Sequence, residues 1–204
     1  MLPEQVVLAS NNRGKLQELA DLFAGLEIRV RPQADFAVSE VEETGLSFVE
    51  NAILKARHAA LHARLPAIAD DSGIEVEFLS GAPGIYSARY AGNGASDTDN
   101  LQLLLEKVKQ SGLDRPAARY QCVIVFLNHG ADATPLIAHG TWHGHIVAEP
   151  RGSNGFGYDP IFYVPTHGCT AAELAPAEKN RISHRGQAMQ DLLRKLAALK
   201  GSGY

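Results

Sequence analysis

The sequence predicts an α/β fold: a central mixed β-sheet flanked by helices, in two lobes with the active-site cleft between them. Three observations carry this expectation. Short runs with strand character alternate with stretches whose apolar residues recur at helical spacing. The strand runs are of two kinds. Residues 119–127 are almost continuously apolar, as a strand buried on both faces must be, whereas 27–31 and 74–79 alternate apolar with polar, as strands with one wet face do. Polar and glycine-rich stretches adjoin strand runs, the places where α/β folds leave a cleft. A doubly wound dinucleotide fold is excluded, because Gly155-Phe156-Gly157 leads into a strand run and opens no helix.

In chain order, 5–9 reads as a buried strand, and an amphipathic helix starts near Arg13 with Leu16, Leu19, Ala20 and Phe23 at helical spacing. The strand at 27–31 ends at Pro32, and 41–45 is a loop with two acids, Glu42 and Glu43. Ser47 and Glu50 have capping-box spacing, and Val49, Ala52, Ile53, Ala56, Ala60 and Ala63 line one face of the helix they open, which Pro66 stops. Those small residues predict close packing on the sheet; Asn51 and Lys55, four apart on the other side, read as a solvated face. The apolar run Ala67-Ile68-Ala69 leads to Asp70 and Asp71, and Ser72-Gly73 reads as a turn that lets the two acids share one site. A strand at 74–79 and the turn Gly81-Ala82-Pro83-Gly84 follow. Ser96 caps a helix with Leu101, Leu104, Leu105 and Val108 on its core face and Gly112 beyond its end. After the central strand at 119–127, with Cys122 in the core, 136–147 gives a further strand or pair of strands, with Trp142 as a packing anchor. The loop 151–160 enters a strand at 161–164, a short helix is expected over 170–175, and the last helix follows Ser183, with Ala188, Met189, Leu192, Leu193, Leu196 and Leu199 as its apolar face.

Composition narrows the function classes. A chain of 204 residues with 45% apolar content is long enough for one domain with a full-sized core. Two cysteines, Cys122 and Cys169, form no disulfide framework and no metal-binding pair, which fits a reducing, cytoplasmic setting. The first residues carry neither a basic region nor a cleavage signal, and no apolar run approaches membrane-spanning length, so no membrane contact is expected. With 19 basic against 23 acidic residues (net −4), nucleic acid is disfavoured as a partner, while a local basic pocket for a small phosphate compound stays open.

Four stretches carry chemistry. Two adjacent carboxylates after an apolar run repel unless a cation or a shared proton lies between them, so Asp70 and Asp71 point to Mg²⁺ binding, general-base work or both, against a merely solvated turn. Ser10-Asn11-Asn12-Arg13-Gly14-Lys15 sits between a strand and a helix, where free backbone N–H groups and a lysine can cradle a phosphate; a capped helix start explains the same residues. It is no Walker A loop, having one glycine and Leu16 where Ser or Thr would follow the lysine. The loop Arg151-Gly152-Ser153-Asn154-Gly155-Phe156-Gly157-Tyr158-Asp159-Pro160 offers close backbone approach and an aromatic face for a planar base. His184 and Arg185 stand in the first turn of the last helix, where the macrodipole disfavours cations, so something negative or electron-rich faces them: a phosphate, a carbonyl oxygen or a structural carboxylate. His139, His143 and His145 line one strand face and imitate a metal site, but no acid is placed to complete it.

Together, in this order, Leu8 to Lys15, Glu42-Glu43-Thr44-Gly45, Glu50-Asn51-Ala52, Ala69-Asp70-Asp71-Ser72-Gly73, Gly84 to Tyr90, Gly155 to Pro160 and Ser183-His184-Arg185-Gly186 resemble the inosine/xanthosine triphosphate pyrophosphatase family, in its bacterial branch. The resemblance covers nearly the whole chain as a single domain, 1–204. It implies hydrolysis of noncanonical purine nucleoside triphosphates (ITP, dITP, XTP, dXTP) to the monophosphate and pyrophosphate, with Mg²⁺, in a cytoplasmic homodimer. Carried onto matching positions, it implies that Ser10, Asn11, Asn12, Arg13, Gly14 and Lys15 hold the triphosphate. Glu43 and Asp71, with Asp70, would position the metal; Asp71 would be the general base; Ser72 would touch the substrate. Phe156 would stack on the purine with Gly157, Tyr158 and Asp159 lining the nucleotide site, and Lys179, His184 and Arg185 would contact the base or its 6-oxo group. Two rivals use the same residues: a Mg²⁺-dependent phosphohydrolase of other phosphate compounds, and a nucleotide-binding regulator without turnover.

Overall fold

A computed structural model describes residues 3–11, 15–17, 19, 23, 25 and 27–201. Among these, seven strands are present: β1 (Gln5–Leu8), β2 (Arg29–Pro32), β3 (Ala67–Val76), β4 (Ala117–Leu127), β5 (Leu136–Ile146), β6 (Phe162–Val164) and β7 (Cys169–Thr170). They form one sheet in the order β2-β1-β3-β4-β5-β6-β7, mixed because β1 pairs parallel with β2 and β3 while β6 pairs antiparallel with β5 and β7. Four helices accompany it: α1 (Phe48–Ala63), α2 (Asp97–Ser111), α3 (Pro176–Ile182) and α4 (His184–Gly201). Lys15, Leu16, Gln17, Leu19 and Phe23 are also helical; Ala20 and the helix start expected near Arg13 lie outside the described residues.

The chain divides into two compact units: the first holds the residues up to Asp71, Cys122–Gly140 and those from Ala188 on, the second Ser72–Gln121 and Thr141–Gln187. In the first unit both strand faces are covered. Val6, Leu8, Ile68, Ile124 and Phe126 pack with Leu19, Phe23 and the α4 residues Ala188, Met189, Leu192 and Leu196. Val7, Ala67, Ala69, Val123 and Val125 turn the other way, onto Ala52, Ala56, Ala59 and Ala60 of α1. Two-sided burial is why 122–127 reads as unbroken apolar sequence, and every residue of β4 from Tyr120 onward is buried. The alanines of α1 let the helix lie close to the strands, as expected from their spacing. Ser47 caps this helix, its Oγ accepting from the Glu50 amide while Glu50 reaches back to the Leu46 amide at 3.0 Å.

In the second unit the alternation has one apolar side. Ile74, Val76, Tyr120, Trp142, Ile146 and Phe162 join Leu101, Leu104 and Val108 of α2 in a core, each fully buried large side chain contributing about 1.5–3 kcal/mol. The intervening residues are polar and bond to each other: Glu75 accepts from Arg119 Nε at 2.6 Å and Gln121 Nε2 at 2.9 Å, and Thr141 donates to Gln121 at 2.7 Å.

Three expectations are corrected. β3 does not turn at Ser72-Gly73 but continues to Val76, where a 3₁₀ turn, Glu77–Leu79, takes over from the strand expected to 79. Residues 170–175 are not an α-helix: Thr170 ends β7 and caps a 3₁₀ turn, Ala171–Glu173, through a capping box. The helix lies further on, at α3, with Pro176 at its first position, where proline gives up only an amide that has no intrahelical partner.

Gly186, in the first turn of α4, is fixed by space: a Cβ there would overlap the carbonyl oxygen of Asn180. An alanine in a helix ordinarily gains about 1 kcal/mol over glycine. Here the sign reverses, and Gly186→Ala is expected to lower stability by roughly 1–3 kcal/mol in urea unfolding, because backbone must move to admit the methyl.

Candidate active site

Because β3 runs straight through the acid pair, Asp70 and Asp71 lie on opposite faces of it, each meeting its own lysine. Lys15 Nζ donates to Asp70 Oδ1 at 2.9 Å and lies 2.8 Å from Oδ2 as an ion pair. Lys55 Nζ bonds Asp71 Oδ1 at 2.9 Å and Glu43 Oε1 at 2.6 Å. The turn expected to bring the two acids into one site is therefore replaced by two separate ion pairs. The repulsion that made this dipeptide conspicuous is answered by cations on both sides of the strand.

Lys55 and Asn51 do not form a solvated face. The 41–45 loop closes over that side of α1, and Asn51 is fully buried. Its Oδ1 accepts from the Gly45 amide at 2.8 Å, which fixes the orientation of the amide group and leaves Nδ2 to donate to Asp71 Oδ2 at 3.4 Å. A Cβ on Gly45 would come within 2.7 Å of Asn51 Oδ1, so the loop approaches this closely only with glycine there. Sequence periodicity missed both residues; the Glu-Asn-Ala-x-x-Lys order next to an acidic loop was the available signal.

Burial pushes the Asp71 carboxyl above its ordinary range, and the charge of Glu43 adds to this; the attraction and hydrogen bond of Lys55 and the bond from Asn51 oppose it without cancelling it. Burial pulls the other way on the Lys55 ammonium, but the charges of Asp71 and Asp70 and the bonds to Glu43 and Asp71 outweigh it, so Lys55 stays firmly protonated. A carboxylate with raised basicity, held by a permanent cation, is suited to accept a proton from water.

Among the described residues, no group of three or more His, Cys, Asp or Glu side chains gathers to hold a metal ion alone. The donor chemistry nevertheless fits Mg²⁺: Glu43 and Asp71 offer hard oxygens within reach of one ammonium, and Mg²⁺ is ordinarily bound through one or two carboxylates with phosphates and waters completing the shell.

The second unit assembles the aromatic and cationic residues. Phe156 is 56% exposed, with Lys179 Nζ and Arg185 Cζ at 5.1 and 5.7 Å from its ring centroid. Asp159 is buried and accepts from Lys179 and, at 2.9 Å, from the Phe156 amide; Gly157 N donates to Asp97 Oδ2 at 3.0 Å, anchoring the loop to α2. Arg185 Nη2 stands 3.5 Å from Ser72 Oγ. His184 and Arg185 are both buried, and the His184 ring lies flat on Tyr120, centroids 4.5 Å apart at 7°. In the first turn of α4 the His184 ring thus faces an aromatic ring and the Arg185 guanidinium a hydroxyl, alongside Lys179 paired to a carboxylate.

The remaining candidates divide. Asn12, Arg13 and Gly14 lie outside the described residues. Ser10 follows β1, and Asn11 Nδ2 reaches Glu40 at 3.4 Å. Tyr158 points into the core, its hydroxyl donating to the Ser87 carbonyl at 2.8 Å. His139 and His143 are exposed, and His145 bonds the Arg115 carbonyl, so the histidine face gathers no metal set among the described residues.

The Ham1 family model matches residues 6–195. The dITP/XTP pyrophosphatase of Escherichia coli (strain K12) is 57% identical over 190 residues, covering 93% of this chain and 96% of its own length. That of Vibrio parahaemolyticus is 54% identical over 195 residues, with 96% and 98% covered. The structure of a HAM1 protein from Coxiella burnetii superposes with a TM-score of 0.92 at 53% identity, over 96% of this chain and 100% of that one. The Mycobacterium abscessus nucleoside-triphosphatase / dITP/XTP pyrophosphatase gives 0.75 at 38%, over 93% and 98%. With the motifs in order, the sheet as expected and likeness of this extent along the whole length, the chain belongs to the Ham1 family.

Proposed function

We propose that this protein hydrolyses noncanonical purine nucleoside triphosphates, ITP, dITP, XTP and dXTP, to the monophosphate and pyrophosphate. The observation that carries the reading is Asp71, buried, of raised basicity and held by Lys55 and Asn51, in a chain whose relatives at 54–57% identity are named dITP/XTP pyrophosphatases. Phosphoanhydride hydrolysis requires an aligned, deprotonating water and charge neutralisation on the phosphates. Asp71 takes the proton of the attacking water. Lys15 and Lys55 neutralise phosphate charge, and Ser10 to Gly14 supply backbone donors to the triphosphate. Mg²⁺, held through Glu43 and Asp71 with Asp70 close in sequence, supplies further charge neutralisation when bound. Phe156 stacks on the base, and Lys179, His184 and Arg185 donate to its 6-oxo group. A 6-amino group offers those donors no acceptor, at about 1–3 kcal/mol each, which disfavours adenine. A cytoplasmic homodimer completes the reading; no helix among the described residues is long and apolar enough to cross a membrane.

The test is turnover of ITP, dITP, XTP, ATP and GTP with Mg²⁺, resolving pyrophosphate from inorganic phosphate. Preference for the first three with pyrophosphate as product is expected. Release of inorganic phosphate alone would instead identify a general phosphohydrolase, and nucleotide binding without turnover a regulator.

A further inference from the structure

We propose that Tyr120 is a positioning residue for base discrimination: it sets the plane of the His184 ring with its own ring and steadies the Asp159–Lys179 pair with its hydroxyl. The inference rests on the reading that His184 and Lys179 face the base.

Neither of those groups is oriented by its own stereochemistry. The last torsion of histidine is broad and roughly two-fold, so the direction in which an imidazole N–H points is set by what lies against the ring. What lies against His184 is Tyr120, parallel within 7° at 4.5 Å, and beyond it Trp142, within 19° at 6.4 Å. Phe162 abuts Tyr120 and Trp142 at tilts of 57° and 51°, centroids 4.7 and 5.1 Å away, so the shelf under the imidazole is itself wedged in place. Lys179 has a long flexible stem, and its ammonium is held by Asp159 Oδ2, which also accepts the Phe156 amide at 2.9 Å. The other oxygen, Oδ1, faces the Tyr120 hydroxyl at 3.4 Å.

Packing alone does not call for tyrosine on this strand. A buried hydroxyl costs free energy unless it is bonded, and phenylalanine would fill the same space in the core shared by Trp142 and Phe162. The hydroxyl is turned to Asp159, a residue 39 positions away in sequence, and the ring to His184. One buried side chain therefore touches His184 directly and reaches Lys179 through Asp159, two of the three groups assigned to the 6-position. Burial and the neighbouring charge of Asp159 hold the phenol well above its ordinary pKa, so it remains a hydrogen-bond donor to that carboxylate.

The experiment is steady-state kinetics of Tyr120→Phe and Tyr120→Leu on dITP and dATP, with thermal unfolding of each. Tyr120→Leu is expected to cut the dITP:dATP ratio of kcat/KM about tenfold, mainly through KM for dITP. Tyr120→Phe, which keeps the ring, is expected to lose about threefold. The losses should also be non-additive with the site: in a His184→Ala background the Leu effect should largely disappear, as expected for a residue acting through its neighbour. A folded Tyr120→Leu with an unchanged ratio, or a loss that is fully additive with His184→Ala, overturns the proposal. If the Leu variant does not fold, Tyr120→Phe alone and combined with Lys179→Ala decides by the same criterion. A native enzyme with no preference for dITP would overturn the underlying reading of the base site, whereas a selective native enzyme with unaffected variants overturns only the role of Tyr120.

Discussion

Asp71→Asn is expected to lower kcat for pyrophosphate release about 10²–10⁴-fold, the usual worth of a positioned general base, while changing nucleotide affinity little. The amide is isosteric and keeps an acceptor for Lys55, while the Asn51 amide group loses its acceptor to an NH2, and it cannot take a proton from water. Dissociation constants by calorimetry with a slowly turned-over nucleotide, set beside single-turnover rates, separate the two effects. Turnover within a few fold of the native enzyme would remove Asp71 from the role of base. A parallel loss of affinity and rate would make it a binding group.

The same substitution has a second expected result, in stability. The Asp71 carboxyl is held above its ordinary value by burial. A proton is therefore bound more tightly in the folded state than in the unfolded one. The sign follows: that contribution is fully present below the unfolded carboxylate pKa and is lost as pH rises through the folded one, so at neutral pH the ionised Asp71 weighs against folding. Asparagine does not titrate. The stability of Asp71→Asn relative to native should accordingly rise between pH 3.5 and pH 7, read from urea midpoints at the two pH values. A trade of stability for activity at one carboxylate is the usual mark of a functional group kept in an unfavourable place. A relative stability that fell with pH would mean that Lys55 lowers the Asp71 pKa more than burial raises it.

Much of the fold was legible because its periodicities are local. The two-sided burial of β4 shows as nearly continuous apolar sequence, the face of α1 as alanines at helical spacing, and β2 as an alternating run that ends in proline. What periodicity cannot supply is contact between segments. Lys55 and Asn51 sit on the polar side of α1 and look solvated until the 41–45 loop closes over them. Tyr120 reads as one more apolar residue of a core strand until the chain returns with Asp159 and His184. α3 was missed for another reason: none of its seven residues is buried, so no apolar stripe marks it, and its proline at the first position was the only local sign. Adjacent carboxylates need not share a partner: Lys15 and Lys55 serve one face of β3 each, so the acid pair requires no turn at Ser72-Gly73.

Lys55→Met should be the most disruptive single change in the phosphate-side cluster. One ammonium neutralises both Glu43 and Asp71, and its side chain is only 16% exposed, against 25% and 10% for the two acids. Removing it leaves two carboxylates close together with no counter-charge between them. Breaking a buried pair in this way costs about 3–5 kcal/mol, and the partial exposure of Glu43 puts the expected loss near the lower end. Catalysis should fall at least 10²-fold with it, since Asp71 is driven still further towards its neutral form. A divalent cation can stand in for the lost charge. If Mg²⁺ takes Glu43 and Asp71 as proposed, it competes in the native protein with the ammonium for their oxygens, so Mg²⁺ without nucleotide should raise the melting temperature of Lys55→Met more than that of the native enzyme, by the linkage RT ln(1 + [L]/Kd). Ca²⁺, which accepts the same hard oxygens at longer distances, should stabilise the variant as well. An unfolding temperature equal to native, or no differential response to either ion, would show that Lys55 is not the counter-charge on which this pair of carboxylates depends.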